Sequence, residues 1–299
     1  MTFSFPSDDA QPKGLAPREF TFSDHDFERI RALIRDHAGI ALAPHKKDMV
    51  YSRLARRLRA TDTRSFRDYL ARIEGGDTRE FEAFVNALTT NLTSFFREAH
   101  HFRLLSEHLV RRRPQETFSI WCGACSTGEE AYSIAMTALE TLGSTPRVTI
   151  LASDLDTSVL AIARQGLYPL QRLEKLSPDR IRRFFVTDAQ TPPGQLRASP
   201  ELQKLITFQQ INLRAPHWPV KGPLDAIFCR NVMIYFDKQT QRQILAKFVP
   251  LLRGDGLLFA GHSESFHHST DLFKLLGHTV YQLAPGRKST GFSAPRSQP

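Results

Sequence analysis

A glycine turn followed by two acids, residues 123–130 (GACSTGEE), is the stretch of this chain best suited to bind a ligand. Gly123 and Gly128 have the spacing of a phosphate-binding loop, but Glu129 and Glu130 stand where that loop has Lys and Ser or Thr. Two like charges about 4 Å apart repel by roughly 4 kcal/mol at an effective dielectric constant of 20, so a triphosphate is disfavoured here. The turn therefore favours a ligand that carries positive charge and no phosphate.

S-adenosylmethionine is a nucleoside of that kind, because its amino group and its sulfonium are both positive. Its ribose hydroxyls need an acceptor, and Asp154 ends an apolar run at 148–154 (VTILASD), where an acid can accept from both hydroxyls. The alternative for Glu129 and Glu130 is a pair of acids at a helix N-terminus, each stabilised by about 0.3–1 kcal/mol by the helix dipole. The two acids together with Asp154 favour the cofactor interpretation.

Cys122 and Cys125 form a C-x-x-C pair, a spacing found in zinc and redox sites. We see no second pair and no histidine cluster that would complete a zinc site. A redox pair belongs at the start of a helix, whereas Cys122 belongs to a predicted strand. We therefore expect both cysteines to be packing residues, and we expect no metal site.

Alternating strands and helices must position these residues from about 116 onwards. Several runs are almost wholly apolar, as in parallel strands that are covered on both faces, and helices separate them. This pattern predicts an α/β fold with a doubly wound, mostly parallel sheet. The predicted strands are 118–124, 148–154, 206–213 and 224–231, then a buried strand within 249–265 and a last edge strand at 278–284. Residues 168–205 interrupt the alternation and suggest a small inserted subdomain.

The part before residue 90 is helical in pattern. Ser23 is a predicted N-cap, Phe27, Ile30 and Leu33 lie on one apolar stripe, and Gly39 ends that helix. We expect the following organisation: a disordered tail at 1–15, a helical recognition domain at 16–90, a linker at 91–115 that contributes to the cofactor site, a catalytic domain at 116–286, and a disordered tail at 287–299.

The charge of the chain points to an acidic partner. Lys and Arg number 40 against 31 Asp and Glu, a net charge of +9. Residues 46–68 hold eight basic residues against three acids, which is better evidence for a binding face than the total. A merely solvated basic helix is the alternative. There is no apolar run long enough to span a membrane, the N-terminus does not suit a signal peptide and cysteines are few, so we expect a cytoplasmic protein.

Three longer stretches resemble the chemotaxis receptor methyltransferases of the CheR family: 86–102 (NALTTNLTSFFREAHHF), 126–135 (STGEEAYSIA) and 229–241 (CRNVMIYFDKQTQ). The resemblance extends from about residue 20 to 285 and includes 38–59 and 257–266 (LLFAGHSESF). One departure is Ala131, where the family usually has Pro after the two acids. Alanine is compatible with a first helical turn, so we expect little effect.

The resemblance implies transfer of a methyl group from S-adenosylmethionine to the γ-carboxylate of receptor glutamates. That carboxylate is already ionised at pH 7, since its unperturbed pKa is about 4.3, so alignment and desolvation matter more than acid–base catalysis. Arg97 and Tyr235 are the candidate catalytic residues, although Tyr235 also fits plain packing beside Phe236. The cofactor-binding positions that the resemblance implies are Asn91, Thr93, Arg97, Glu129, Asp154, Asn212, Leu213, Arg230 and Asn231.

The resemblance also gives the basic helix a partner, the acidic methylation helices of transmembrane chemoreceptors. Four arginines would form the docking face: Arg53, Arg56, Arg57 and Arg59. Family members carry an inserted β-subdomain, here at about 178–210, which in some of them binds a peptide at the receptor C-terminus. Those members often have Gly-x-Gly in the subdomain, and 186–195 (VTDAQTPPGQ) lacks it.

Two other functions fit part of the sequence. A nucleic-acid methyltransferase would use the basic patch, but amino-directed enzymes usually carry a (D/N/S)-P-P-(Y/F/W) turn where this chain has CRNVMIYF at 229–236. Cytosine-C5 enzymes need a Pro-Cys nucleophile, and no cysteine here follows a proline. A non-catalytic adaptor that binds the cofactor would keep the acids at 129 and 154 and is not distinguished by sequence.

Overall fold

The computed structural model describes residues 18–111 and 116–286. The tails predicted to be disordered, 1–15 and 287–299, lie outside the described residues. The elements in chain order are α1 Asp24–Ala38, α2 Lys47–Ala60, α3 Phe66–Glu74, α4 Thr78–Leu88, α5 His100–Leu109, β1 Phe118–Gly123, α6 Glu129–Leu142, β2 Val148–Asp154, α7 Thr157–Gln165, β3 Leu167–Pro169, α8 Leu170–Leu173, α9 Pro178–Phe184, β4 Phe185–Val186, β5 Gln195–Ala198, α10 Pro200–Gln203, β6 Ile206–Gln210, β7 Leu224–Cys229, α11 Lys238–Phe248, β8 Leu252–Phe259, β9 Phe273–Gly277 and β10 Val280–Leu283.

Helices α1 to α4 pack around one apolar core. The first begins with a capping box, in which the Ser23 side chain accepts from the backbone of Asp26 and Asp26 accepts from that of Ser23. It ends at Gly39, whose φ of 74° is the left-handed conformation that glycine adopts without strain. The apolar stripe of each helix faces the same core, which includes Ile30, Leu54, Tyr69 and Phe84.

The second core is built on a seven-stranded sheet with the order β6-β2-β1-β7-β8-β10-β9. Strands β6, β2, β1, β7 and β8 pair in parallel, and β10 and β9 are antiparallel. After β1 the chain adds β2 and β6 on one side of it, and then crosses to add β7 and β8 on the other side. In such sheets a ligand crevice forms at the carboxyl ends of the two strands where the direction changes, here β1 and β7. The predicted doubly wound, mostly parallel sheet is confirmed.

The far edge of this sheet differs from the prediction. The stretch 278–284 was predicted to be the edge strand, but β10 lies between β8 and β9, and β9 forms the edge. Leu275 and Leu276 of β9 are 44% and 51% exposed. Without a clean alternation of apolar and polar residues, the run 273–277 (FKLLG) gives no strand signal in the sequence.

The small inserted sheet is antiparallel, with the order β3-β5-β4. It begins at Leu167, one residue before the interruption at 168–205 seen in the sequence and ahead of the 178–210 implied by the resemblance. Strand β6, at the end of 178–210, pairs with β2 in the large sheet. The insertion therefore interrupts the chain between α7 and β6.

No helix within 18–111 and 116–286 has the length and apolar character needed to cross a membrane.

Candidate functional site

A cavity of about 270 Å³ opens at the carboxyl ends of the parallel strands, beneath the helical domain. Its walls come from the α1–α2 connection, the segment 88–97, the turn after β1, the end of β2 and the stretches that follow β6 and β7. Nine of the positions predicted from the sequence lie on these walls: Asn91, Thr93, Arg97, Asp154, Asn212, Leu213, Arg230, Asn231 and Tyr235.

The turn between β1 and α6 has an unusual backbone. Ala124 and Ser126 have positive φ angles of 65° and 51°, and Gly128 has a φ of 96°. A Cβ at Gly128 would lie 2.9 Å from both Ala163 Cβ and Tyr168 Oη, so any other residue would be crowded as well as strained. The glycine of the motif is therefore required by the fold around it.

Asp154 connects this turn to the cavity. Its Oδ2 accepts from the Ser126 N–H at 2.8 Å and its Oδ1 from the Asp156 N–H at 3.0 Å. A carboxylate offers about four acceptor positions, so acceptor capacity remains for a ligand. Burial raises the pKa of Asp154 to about 6, against the opposing effect of these backbone donors. A diol ligand that donates to this carboxylate would stabilise its ionised form.

The two acids of the motif diverge. Glu130 lies on the cavity wall, and its Oε2 pairs with Arg230 Nη1 at 2.5 Å. Glu129, which is 1% exposed, is absent from the wall and is held by Thr127 Oγ1 at 2.6 Å and Arg172 Nη1 at 3.1 Å. The carboxylate that faces the cavity from α6 is thus the second of the pair, which was not among the predicted site residues.

Arg230 ties the inter-domain segment to the sheet. Its guanidinium is fully buried, pairs with Glu130 and donates through Nη2 to the carbonyl oxygen of Arg97 at 2.6 Å. Arg97 itself is half-buried and donates to the Leu92 carbonyl at 3.1 Å. Positive φ angles of 50° at Phe96 and 57° at Glu98 flank Arg97 and bring its side chain to the cavity.

The start of the same segment crosses the end of β2. The side chains of Thr89 and Asn91 both donate to Asp156 Oδ2, each at 2.7 Å. The Ser126 hydroxyl donates to the Asn91 carbonyl at 2.9 Å. Asn91 is therefore held in place by the protein and lies beside Asp154 on the wall.

A buried carboxylate shapes the loop after β7. Glu264 is 4% exposed and accepts from the backbone N–H groups of Asn231 at 3.0 Å, Val232 at 2.9 Å, Met233 at 2.7 Å and Gly261 at 2.5 Å. Asn231 has a φ of 58°. These four donors fix the loop that presents Arg230, Asn231 and Tyr235.

Sequence reasoning missed Glu264 as a site residue. The available signal was its position in 257–266, within the resembling region and just after the buried strand.

The helical domain closes the cavity through polar contacts with the catalytic domain. Asn212 donates to the His37 carbonyl at 2.8 Å and Arg214 to the Arg35 carbonyl at 3.3 Å. Both carbonyls belong to the last turn of α1, and that of Arg35 also accepts from the Gly39 N–H at 2.8 Å. The Ala41 N–H also donates to the Tyr235 carbonyl at 2.9 Å.

The four arginines predicted to dock a receptor have different surroundings. Arg57 makes two hydrogen bonds to Glu80, which is 5% exposed, and Arg53 donates to the carbonyls of Ala87 and Thr89. Arg59 is exposed and pairs with Glu19. Arg56 is exposed and has no hydrogen bond or ion pair to any residue of 18–111 or 116–286.

Two family models match the chain. The model described as CheR methyltransferase, all-alpha domain, matches residues 25–89, and the CheR methyltransferase, SAM binding domain, matches 91–282. The division between them falls at the start of the segment that crosses the cavity.

Named relatives are similar along nearly the whole chain. The chain is 50% identical over 286 residues to a chemotaxis protein methyltransferase of Salmonella typhimurium (strain LT2), which covers 95% of this chain and 99% of that protein. The values for a chemotaxis protein methyltransferase of Escherichia coli (strain K12) are the same. Chemotaxis protein methyltransferase 2 of Pseudomonas aeruginosa is 50% identical over 270 residues, 89% of this chain and 96% of that protein. The chain belongs to the CheR methyltransferase family.

Proposed function

We propose that the protein transfers a methyl group from S-adenosylmethionine to the γ-carboxylate of glutamate residues in chemotaxis receptors, forming methyl esters that serve sensory adaptation. It is an S-adenosylmethionine-dependent methyltransferase by family, and relatives named chemotaxis protein methyltransferases match it over almost their entire length. The observation that carries the proposal is the cavity itself, which the helical domain and the catalytic domain line together. The substrate segment is cytoplasmic, so we place the enzyme in the cytoplasm.

The cavity fits the cofactor by the chemistry of its donor set. Asp154 has acceptor positions left for the two ribose hydroxyls, and Glu130 supplies negative charge at the wall. Glu129 lies behind the turn and acts on the amino group through its charge. When bound, S-adenosylmethionine supplies an electrophilic methyl group. The remaining proposed contacts come from residues that line the same walls: Asn91, Thr93, Arg97, Asn212, Leu213, Arg230 and Asn231.

Arg97 and Tyr235 are the proposed residues next to the reacting groups. Both line the cavity, and within the described part of the chain the Arg97 guanidinium donates one hydrogen bond, to the Leu92 carbonyl. It therefore has donors left to orient an incoming carboxylate. Tyr235 contributes a hydroxyl from the loop that Glu264 fixes. Neither residue needs to transfer a proton, because the glutamate arrives ionised.

The receptor is proposed to dock along the outer face of α2. Arg56 and Arg59 are exposed there and supply charge to an acidic helix, while Arg53 and Arg57 add to the field of the same face from half-buried positions. A second proposed contact with the receptor is a peptide at its C-terminus, which would bind the small sheet. The absence of Gly-x-Gly from 186–195 argues against this contact.

The test uses S-adenosylmethionine labelled with tritium in its methyl group, the purified protein and receptor-containing membranes, followed by alkali. Methyl esters hydrolyse to volatile methanol, whereas N-methyl and C-methyl groups stay on the product. Volatile label from a receptor-sized band is the expected result. Stable label, or label on added nucleic acid, would support a nucleic-acid methyltransferase. Cofactor binding without any label on active receptors would support an adaptor.

A further inference from the structure

Three ligand-type atoms converge at the start of α5, behind the cavity wall. Glu98, His100 and His101 each offer one ligand atom, and these three atoms all lie within 4.8 Å of one another. Glu98 Oε2, His100 Nε2 and His101 Nδ1 are buried, and none has a hydrogen-bond partner among residues 18–111 and 116–286. The side chain of His101 is wholly buried and that of Glu98 is 10% exposed. Buried polar atoms without partners are costly, so this group of three requires an explanation.

The tautomer of His101 places a lone pair towards Glu98. Its Nε2 lies 2.8 Å from the carbonyl oxygen of His278, to which only an N–H can donate. In the neutral ring Nδ1 is then an acceptor, and it faces Glu98 Oε2 at 3.6 Å. Two acceptors therefore face each other with His100 Nε2 beside them. A single water molecule can donate only two hydrogen bonds, so it satisfies two of the three atoms when all accept.

The charged groups around Glu98 are compatible with a bound cation. Arg230 Nη2 is 3.3 Å from Glu98 Oε2, which by itself would oppose one. The same guanidinium also pairs with Glu130, so one positive charge is shared between two carboxylates and the group is net negative. His262 contacts the other oxygen, Glu98 Oε1, through its N–H at 3.2 Å and its Nδ1 at 3.1 Å. Oε2 is thus the oxygen that remains for a metal ion.

We propose that Glu98, His100 and His101 bind a divalent transition-metal ion of the zinc class. Two imidazole nitrogens and one carboxylate oxygen suit zinc and its neighbours, whereas Mg²⁺ and Ca²⁺ prefer oxygen ligands alone. Three protein ligands leave a coordination position for water. The ion would fix the turn that carries Arg97, whose carbonyl is bound by Arg230. From the sequence we expected no metal site, because we saw no histidine cluster that would complete one. The fold brings Glu98, His100 and His101 together.

The test is metal binding by the full chain, prepared without a histidine tag and stripped with a chelator. Zn²⁺ is titrated in competition with a chromophoric chelator, and Co²⁺ is added separately to read the coordination from its visible absorption. We expect one equivalent of Zn²⁺ to bind tightly and the Co²⁺ absorption to indicate a low coordination number. Mg²⁺ should produce no response. Zinc should also raise the melting temperature, since a ligand of the folded state stabilises it.

Two histidine variants separate this site from adventitious binding. His100→Gln removes a ligand from a half-buried position and should weaken zinc binding by at least about 10-fold and abolish the thermal shift. His262→Gln, 66% exposed and in contact with Glu98 Oε1 only, is the matched control and should bind within about 3-fold of the parent. Absence of a tight equivalent in the parent, or equal loss in both variants, would overturn the proposal.

Discussion

The carboxylate of Asp154 has two tasks, since it accepts from the turn after β1 and also faces the cavity. Burial raises its pKa from an ordinary 3.8 to about 6. A raised pKa means that the folded protein binds this proton more tightly than the unfolded chain does. The stabilising contribution is therefore complete below pH 4 and is lost as the pH rises through 6. The affinity for a ligand that requires the ionised carboxylate changes in the opposite direction, because it increases as the pH rises through 6.

Cofactor affinity should consequently fall in mild acid. At pH 5 about a tenth of Asp154 is ionised, so the Kd for S-adenosylhomocysteine should be up to about 10-fold higher than at pH 7.5. Equilibrium dialysis at the two pH values measures this ratio. Asp154→Asn should bind weakly at both and show a ratio near one; a ratio as large as that of the parent would assign the dependence to another group.

Glu264 acts on the site without touching the cavity wall. Glu264→Gln replaces a carboxylate that accepts from four backbone N–H groups, and its amide nitrogen would face donors. We expect the free energy of unfolding to fall by about 2–3 kcal/mol and methyl transfer to fall in kcat while the variant is still folded.

Urea denaturation and initial rates below the melting transition measure the two effects of Glu264→Gln. The exposed neighbour variant Ser263→Ala is the control and should leave both unchanged. A Gln variant with unchanged kcat would show that the loop does not depend on the carboxylate.

Helix α2 presents an inner and an outer set of arginines. Arg57→Ala removes both hydrogen bonds from Arg57 to the buried Glu80 carboxylate and leaves it the one from Tyr69 Oη among the described residues. We expect the free energy of unfolding to fall by about 1–3 kcal/mol. Arg56→Ala on the outer side should stay within about 0.5 kcal/mol of the parent. Urea titrations of both variants test this, and equal values would contradict the assignment of faces.

The outer side of α2 should matter for the receptor and not for the cofactor. Arg56→Glu reverses an exposed charge that has no partner in the described part of the chain. We expect the KM for receptor-containing membranes to rise several-fold, and more at low salt than at high salt, because exposed charges are screened. The Kd for S-adenosylhomocysteine should not change. A change in the cofactor Kd alone would place Arg56 outside the receptor surface.

The elements that sequence predicts well are those with a local signal. Ser23 and Gly39 mark the ends of α1 through capping chemistry, and the apolar runs of β2 and β7 identify buried parallel strands. Strand β9 was not predicted, because it forms through pairing with β10 and its own residue pattern carries no strand signal.

The site residues likewise divide into those with a local sequence signal and those that only the fold brings together. Asp154 follows from its place at a strand end, but the pairing of Arg230 with Glu130 joins residues 100 positions apart. The choice between Glu129 and Glu130 depends on Arg172 and Thr127, whose positions only the folded chain reveals.

In the whole molecule the cavity belongs to both domains. Residues 38–43 of the helical domain and 124–126 of the catalytic domain line it together. Hydrogen exchange with and without S-adenosylhomocysteine should therefore show slower exchange in both regions when the ligand binds, since it favours the closed arrangement. Exchange measured by mass spectrometry on peptides from 60–80, remote from the cavity, gives the internal reference. Protection limited to 116–286 would contradict a shared site.

The hydrogen bonds from Asn212 and Arg214 to the last turn of α1 have a thermodynamic consequence. They connect the helical domain with the loop that lines the cavity. The helical domain is the part proposed to bind the receptor. Any receptor contact that shifts α1 must alter the cavity wall, and occupancy of the cavity must in turn alter the bundle. The coupling free energy is the same in both directions, so if the cofactor raises the affinity for the receptor, the receptor raises the affinity for the cofactor by the same factor.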